Sequence, residues 1–247
     1  MAMKSAAVAA GACLALVGCS SAPVDDRPTV QIAPAAQPAP APVPIPLGGF
    51  LPSAEQLSAL LNTGPDALMT PAVEGGPDLL LRSVAETQVM PAECVGAPYR
   101  LQQLVYQDSP VLSVASTSWS GGGFDAAPVS ANVGVVQLAS PAAARDFFAA
   151  TADRWVGCNG QTVTLHRPGA TPGELSRISD VTFTDSMVSA TVLHASAGAG
   201  SPTGLRALGV AGDCIVDVEV LDPRPDADSG AAGAVTGAVL DGIAARR

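Results

Sequence analysis

The chain has 247 residues, with 12 Lys and Arg against 22 Asp and Glu, and a formal net charge of −10. That acidity argues against a nucleic-acid binder, which needs a positive surface to release counterions. It argues equally against a polybasic membrane-binding face.

Lys4 is the sole lysine, and an apolar run from Ala6 follows it. The run ends at Leu16-Val17-Gly18-Cys19, with Ser20 and Ser21 behind it. A positive start, about a dozen apolar residues and small residues at the cut make a bacterial secretory signal. Its ending resembles a lipoprotein signal, in which residues 1–18 are removed and the Cys19 thiol is diacylated. The residue types suit that chemistry, because lipid transfer needs a nucleophilic sulfur and the peptidase needs a small residue before it. A transmembrane anchor would need about 20 apolar residues, and Gly18-Cys19-Ser20-Ser21 stops the run short. Two acyl chains hold a protein stably where one does not. The expectation is a lipid anchor (palmitate-type acylation) at the extracytoplasmic face of the cell membrane, with the membrane as partner.

Residues 19–49 are rich in Pro and Ala, notably from Gln37 to Pro46. Prolines lack an N–H and restrain their predecessors, so this stretch reads as an extended, partly polyproline II tether. A proline-motif ligand is the competing reading. Residues 50–247 then form one domain of about 200 residues, a common size.

Ser53 as N-cap and Gln56 three residues on have capping-box spacing. Leu57, Leu60 and Leu61 follow at helical spacing, and Asn62-Thr63-Gly64-Pro65 ends the helix. A second helix is predicted over Tyr99–Tyr106. Val111–Trp119 and Val133–Leu138 read as strands around a turn at Gly121-Gly122-Gly123. Those glycines lack the helix and Lys-Ser/Thr pair of a phosphate loop. Ser140-Pro141 opens the clearest helix, with Ala144, Phe147, Phe148, Thr151 and Trp155 on one face. Gly157 ends it beside Cys158. Strands follow at Thr162–His166, Arg177–Phe183 and Met187–Ala195, with Thr184-Asp185-Ser186 as a hairpin loop. Leu205–Val210 pairs with Cys214–Leu221 through Ala211-Gly212-Asp213. Asp222-Pro223-Arg224-Pro225 breaks the sheet, and Ala231–Ala245 is the terminal helix, with Val235, Val239, Leu240 and Ile243 apolar. Runs of strands with flanking helices make this α+β with a largely antiparallel sheet.

Outside the membrane disulfides persist. With Cys13 in the signal and Cys19 acylated, Cys94, Cys158 and Cys214 remain. Cys214 alternates with apolar neighbours and reads as a buried small hydrophobe. Cys94 and Cys158 flank helices in turn-like settings and are predicted to pair, a bond of roughly 4 kcal/mol in the chain-entropy model. A zinc site needs about four close ligands, and His166 and His194 form no motif with these cysteines. No metal and no cofactor is expected.

Pro91-Ala92-Glu93-Cys94, Arg154-Trp155-Val156-Gly157-Cys158, Leu205-Arg206-Ala207-Leu208 and Gly212-Asp213-Cys214-Ile215-Val216-Asp217-Val218 together resemble the PknH-like extracellular sensor domain family. Free-standing copies of that domain occur as mycobacterial lipoproteins. The resemblance runs from about Ser53 to Ala244. It implies a twisted antiparallel sheet with helices packed on one side, a cleft, and a first disulfide matching Cys94 and Cys158. The family's second disulfide falls near Gly204 and Leu221, which are not cysteines here. Asp213 stands where the family usually has Asn. The chain carries no kinase domain, so no cytoplasmic output is expected from it alone.

No nucleophile elbow of the Gly-x-Ser-x-Gly type is present, although Ser118-Trp119-Ser120-Gly121 is superficially similar. His166 and His194 are read as structural or surface residues within strands. Asp180, Asp185, Asp213 and Asp217 are read as turn and edge residues. Tyr99, Tyr106, Trp119 and Phe124 are read as core, with a cleft lining as the alternative. The leading expectation is a non-enzymatic, sensor-like domain binding an unidentified extracytoplasmic ligand or partner. A lipid carrier would show a large apolar cavity. A cell-envelope hydrolase would show His166 or His194 against a serine and an acid in a cleft.

Overall fold

The structure is a computed structural model that describes residues 46–246 apart from 123–127, 168, 170–172 and 197–198. The lipobox Leu16-Val17-Gly18-Cys19, tether residues 19–45 and Phe124 lie outside the described residues, whereas Leu47, Gly48 and Gly49 from the end of the tether are part of the folded domain.

The first element is a 3-10 turn, Leu47–Phe50, whose Leu47 is fully buried. Glu74 holds it, accepting from Leu47 N and Gly48 N at 2.8 Å each. Helix α1 (Ala54–Leu60) begins at the expected capping box: Ser53 Oγ accepts from Gln56 N, and Gln56 Oε1 accepts from Ser53 N. It ends at Asn62, which takes a left-handed φ of 50°. Two side-chain nitrogens of Arg224 donate to Leu61 O and Asn62 O, and Asp222 holds the guanidinium in place. The Asp-Pro-Arg-Pro sheet breaker therefore also satisfies the carbonyls of the cap residues that follow α1.

Ten strands form one sheet. They are β1 (Ala67–Met69), β2 (Val73–Gly75), β3 (Val89–Met90), β4 (Val111–Gly121), β5 (Val129–Leu138), β6 (Thr162–Leu165), β7 (Glu174–Phe183), β8 (Met187–Ser196), β9 (Ala199–Ala211) and β10 (Cys214–Leu221). The order is β1-β4-β5-β10-β9-β8-β7-β6-β3, with β2 also on the outer edge of β4. Every strand pair is antiparallel. Strands β6 to β10 are one meander, and β10 returns to lie beside β5. The short edge strands β1, β2 and β3 carry no alternating pattern long enough to be read from sequence. The β9–β10 turn is tighter than expected, because Ala211 already pairs with Cys214. Gly212 takes the positive φ of 57° that this two-residue turn requires.

Successive strand residues face opposite ways, and the two faces have separate cores. Val114, Val136, Leu208 and Ile215 pack with Ala144, Phe147, Phe148 and Trp155 of α3 (Pro141–Gly157). Val133, Val135, Val216 and Val218 pack with Leu57 of α1 and with Val235, Val239 and Ile243 of α4 (Ala231–Ala244). The α+β class, the antiparallel sheet and the single disulfide are as expected. The helices, however, pack on both faces rather than one. Both parities of the central strands are apolar, so each face needs its own cover.

The predicted helix over Tyr99–Tyr106 is another correction. Only α2 (Gln103–Tyr106) is helical. Leu101 is in the left-handed region at φ 50°, which costs a branched side chain energy and interrupts a helix. Gly134 on β5 makes room for it: a Cβ there would lie 2.6 Å from Leu101 Cδ1.

Candidate functional site

The segment from Ala92 to Ser109 is mostly irregular, and three devices fix it over the sheet. The first is covalent: Cys94 and Cys158 are bonded, with Cα atoms 5.7 Å apart. This ties the segment to the C-terminus of α3. The second is Arg206 on β9. It donates from Nε to Ala97 O at 2.9 Å, from Nη1 to Val218 O at 2.6 Å and from Nη2 to Gly96 O at 3.3 Å. The third is Asp217 on β10. Its Oδ2 accepts from Leu101 N at 2.8 Å and from the Tyr106 hydroxyl at 3.2 Å. The two ions meet directly, Arg206 Nη2 on Asp217 Oδ1. Burial, then the Asp217 charge and hydrogen bond, push the Tyr106 hydroxyl well above its ordinary 10. It remains a donor.

Asp217 is thus a core ion and not the turn or edge residue its sequence setting implied. Arg206 was legible only as part of a family motif, since nothing in its local pattern marks a buried cation. Tyr106 is core as expected, stacked on Phe147 at 4.7 Å. Trp119 is core on the opposite face of the sheet.

Between this pinned segment and α3 lies a cleft of about 460 Å³, within the usual range for small-molecule sites. Val95, Val105 and Phe147 supply its apolar wall, and Trp155 and Thr151 line it from α3. Both α3 residues are sealed, at 1 % and 2 % exposure. Trp155 Nε1 and Thr151 Oγ1 have no hydrogen-bond partner in the protein. An unpaired buried polar atom costs about 1–3 kcal/mol. Both atoms are closed off from the cleft, so they are unpaired atoms within its wall and not contacts open to a ligand. Arg206 stacks over the Trp155 ring at 5.7 Å, which fixes the ring from behind. Glu86, Glu93, Asp108 and Arg154 stand exposed around the cleft. The helical spacing of Thr151 and Trp155 is visible in the sequence, but it reads as core. Their missing partners are visible only in three dimensions.

A serine–histidine contact does exist elsewhere. Ser176 Oγ on β7 lies 2.9 Å from His194 Nδ1 on β8 and 3.2 Å from the Tyr99 hydroxyl. Burial lowers His194 from its ordinary 6.5. Ser176, however, is fully buried, and no described carboxylate is hydrogen-bonded to the imidazole. A nucleophile must reach its substrate and its base must be oriented; this group has neither property. His166 is exposed beyond the end of β6. Ser118 is occupied by Asn132 Oδ1 at 2.7 Å. Asn132 and Arg100 bond one another and reach Glu219, closing a polar row across β4, β5 and β10. Cys214 is free and buried, its thiol pushed up to about 12. Asp213 sits in the β9–β10 turn and accepts from Gln137 Nε2 at 2.8 Å. Among the described residues no group of three or more potential metal ligands comes together.

Residues 42–246 match a family described as PknH-like extracellular domain. The extracellular domain of PknH from Mycobacterium tuberculosis has a similar structure. Its TM-score is 0.65 at 20 % identity, covering 81 % of this chain and 97 % of that one. At that identity the likeness is one of fold. An uncharacterised protein from Mycobacterium smegmatis gives a TM-score of 0.44 at 14 % identity over the same shares of the chains, and no argument rests on it. No curated protein matches. The two positions of the family's expected second disulfide, Gly204 and Leu221, stand directly opposite one another on β9 and β10.

Proposed function

The chain belongs to the PknH-like extracellular domain family, and from that premise we propose that it is a lipid-anchored binding domain at the outer face of the cell membrane. Its ligand is a small extracytoplasmic molecule held in the cleft between α3 and the Ala92–Ser109 segment. The observation that carries this reading is the cleft itself, about 460 Å³, with a wall pinned in place by the Cys94–Cys158 bond and the buried Arg206–Asp217 pair. The anchor is the acylated Cys19, argued from the lipobox. Among the described residues no helix is long and apolar enough to cross a membrane.

A hydrophobic carrier is the second reading. It is favoured by a groove of about 340 Å³ between α1 and α4, lined by Phe50, Leu51, Leu60 and Val239. The experiment is to purify the full chain from its membranes under oxidising conditions and identify what is released on denaturation by mass spectrometry. Alongside it runs the Ala150→Trp variant, which fills the cleft from an exposed position on α3. A polar compound recovered from the native chain and absent from the variant supports the cleft. An acyl lipid recovered equally from both moves the function to the α1–α4 groove.

A further inference from the structure

The groove between α1 and α4 differs in chemistry from the cleft. Phe50 and Val239 form its base. The half-buried Leu51 and Leu60 and the exposed Ala59 and Ala238 leave its apolar walls open. Its single ionisable lining group is the exposed Arg246. The chain has 22 acids against 12 bases, yet no carboxylate lines this groove. Glu55 and Asp241 adjoin lining residues in sequence but do not line it.

The guanidinium is fixed from both sides. Nε donates to Gly242 O at 3.0 Å and Nη2 to Gly49 O at 2.8 Å, and the group lies 4.1 Å over the Phe50 ring. These contacts tie the 3-10 turn to α4. They leave Nη1 without a hydrogen bond among the described residues, where Arg246 also forms no salt bridge. A positioned guanidinium with free N–H donors matches a carboxylate. The apolar walls beside it match a hydrocarbon chain. The volume, about 340 Å³, is near the lower end for small-molecule sites and suits one chain rather than two.

Resting on the reading of this groove as a carrier site, we propose that its occupant is a single-chain fatty acid, with its carboxylate on Arg246 and its tail between Leu51, Leu60 and Val239. A neutral acyl chain satisfies only the apolar walls. An alkyl ammonium meets the wrong charge.

The test places the full chain in nanodiscs of zwitterionic lipid, in alkaline buffer where a fatty acid is ionised. The probes are a photoreactive dodecanoic acid and the matching alcohol, and labelled peptides are mapped by mass spectrometry. The acid is expected to label residues 50–60 and 238–246 about fivefold more than the alcohol does. Ala238→Trp, which fills the groove from an exposed position, should remove both signals. The cleft variant Ala150→Trp should change neither. Arg246→Gln should bring the acid down to the level of the alcohol; an advantage that persists there would overturn the assignment. Arg246→Lys covers the case in which glutamine distorts the groove: an acid still favoured over the alcohol supports the ion pair, and no preference overturns it. Equal labelling by both probes in the parent chain, lost in Ala238→Trp, would overturn the fatty-acid assignment and leave the carrier groove standing. No labelling of these stretches, or labelling that survives Ala238→Trp, would overturn the groove as a lipid site as well.

Discussion

Arg206 Nη2 lies 2.7 Å from Asp217 Oδ1, and neither side chain is more than 3 % exposed. The pair stands on adjacent strands at the middle of the sheet. Apart from the bond from Arg206 Nη1 to Val218 O within the sheet, its other hydrogen bonds hold Gly96, Ala97, Leu101 and Tyr106 in place. The wall of the cleft is therefore positioned by two buried ions and not by secondary structure of its own.

Breaking that pair from one side leaves a charge sealed without its partner, which costs about 3–5 kcal/mol. Asp217→Asn is expected to lose that much stability in urea unfolding. For a domain of this size the midpoint temperature should fall by about 2–4 °C per kcal/mol. A loss below about 1 kcal/mol would mean that water reaches Arg206 in solution.

The disulfide fixes the same wall covalently. Cys94→Ser with Cys158→Ser opens a loop of 64 residues, worth about 4 kcal/mol in the chain-entropy model. The variant should also quench differently at Trp155, because Cys158 closes the helix that carries it. Unchanged tryptophan fluorescence together with unchanged stability would show that the noncovalent contacts suffice.

Gly134→Ala places a methyl 2.6 Å from Leu101 Cδ1. Overpacking of this kind costs about 1–3 kcal/mol. The strain should appear as faster amide exchange at Leu101, whose N–H is otherwise held by Asp217. A variant as stable as the parent, with Leu101 still protected, would contradict the tight fit.

His194 gives the chain a pH dependence. Burial lowers its pKa below 6.5, against the opposing pull of Glu219 and Glu174. The unfolded chain then binds more protons than the folded one between those two values. Stability should fall as the pH drops through about 6.5 and level off once both forms are protonated. His194→Gln should flatten that slope. The other histidine, His166, is exposed, so a slope that persists in the variant would place its origin elsewhere.

Much of the fold was legible before any coordinates. Capping residues marked α1 and α3, and the β-branched runs marked β4, β5 and β7 to β10, since both signals are local. Three things were not. The short strands β1 to β3 owe their conformation to β4 and β6, their partners in the sheet. The left-handed Leu101 is imposed by Asp217 from 116 residues away. The two-sided helix packing follows from apolar residues at both parities, visible in Val133-Gly134-Val135-Val136 but outweighed by the family's expected architecture. For the site, Thr151 and Trp155 showed as an apolar helix face. Only the path of the Ala92–Ser109 segment makes that helix face one side of a cleft.

The most direct measurement is a high-resolution crystal structure of the chain as purified from cells, read in the cleft between Val105 and α3. The account predicts density for an organic molecule there, against Val95, Val105 and Phe147. Ordered water alone in the cleft, in a preparation that releases no polar compound on denaturation, would contradict it.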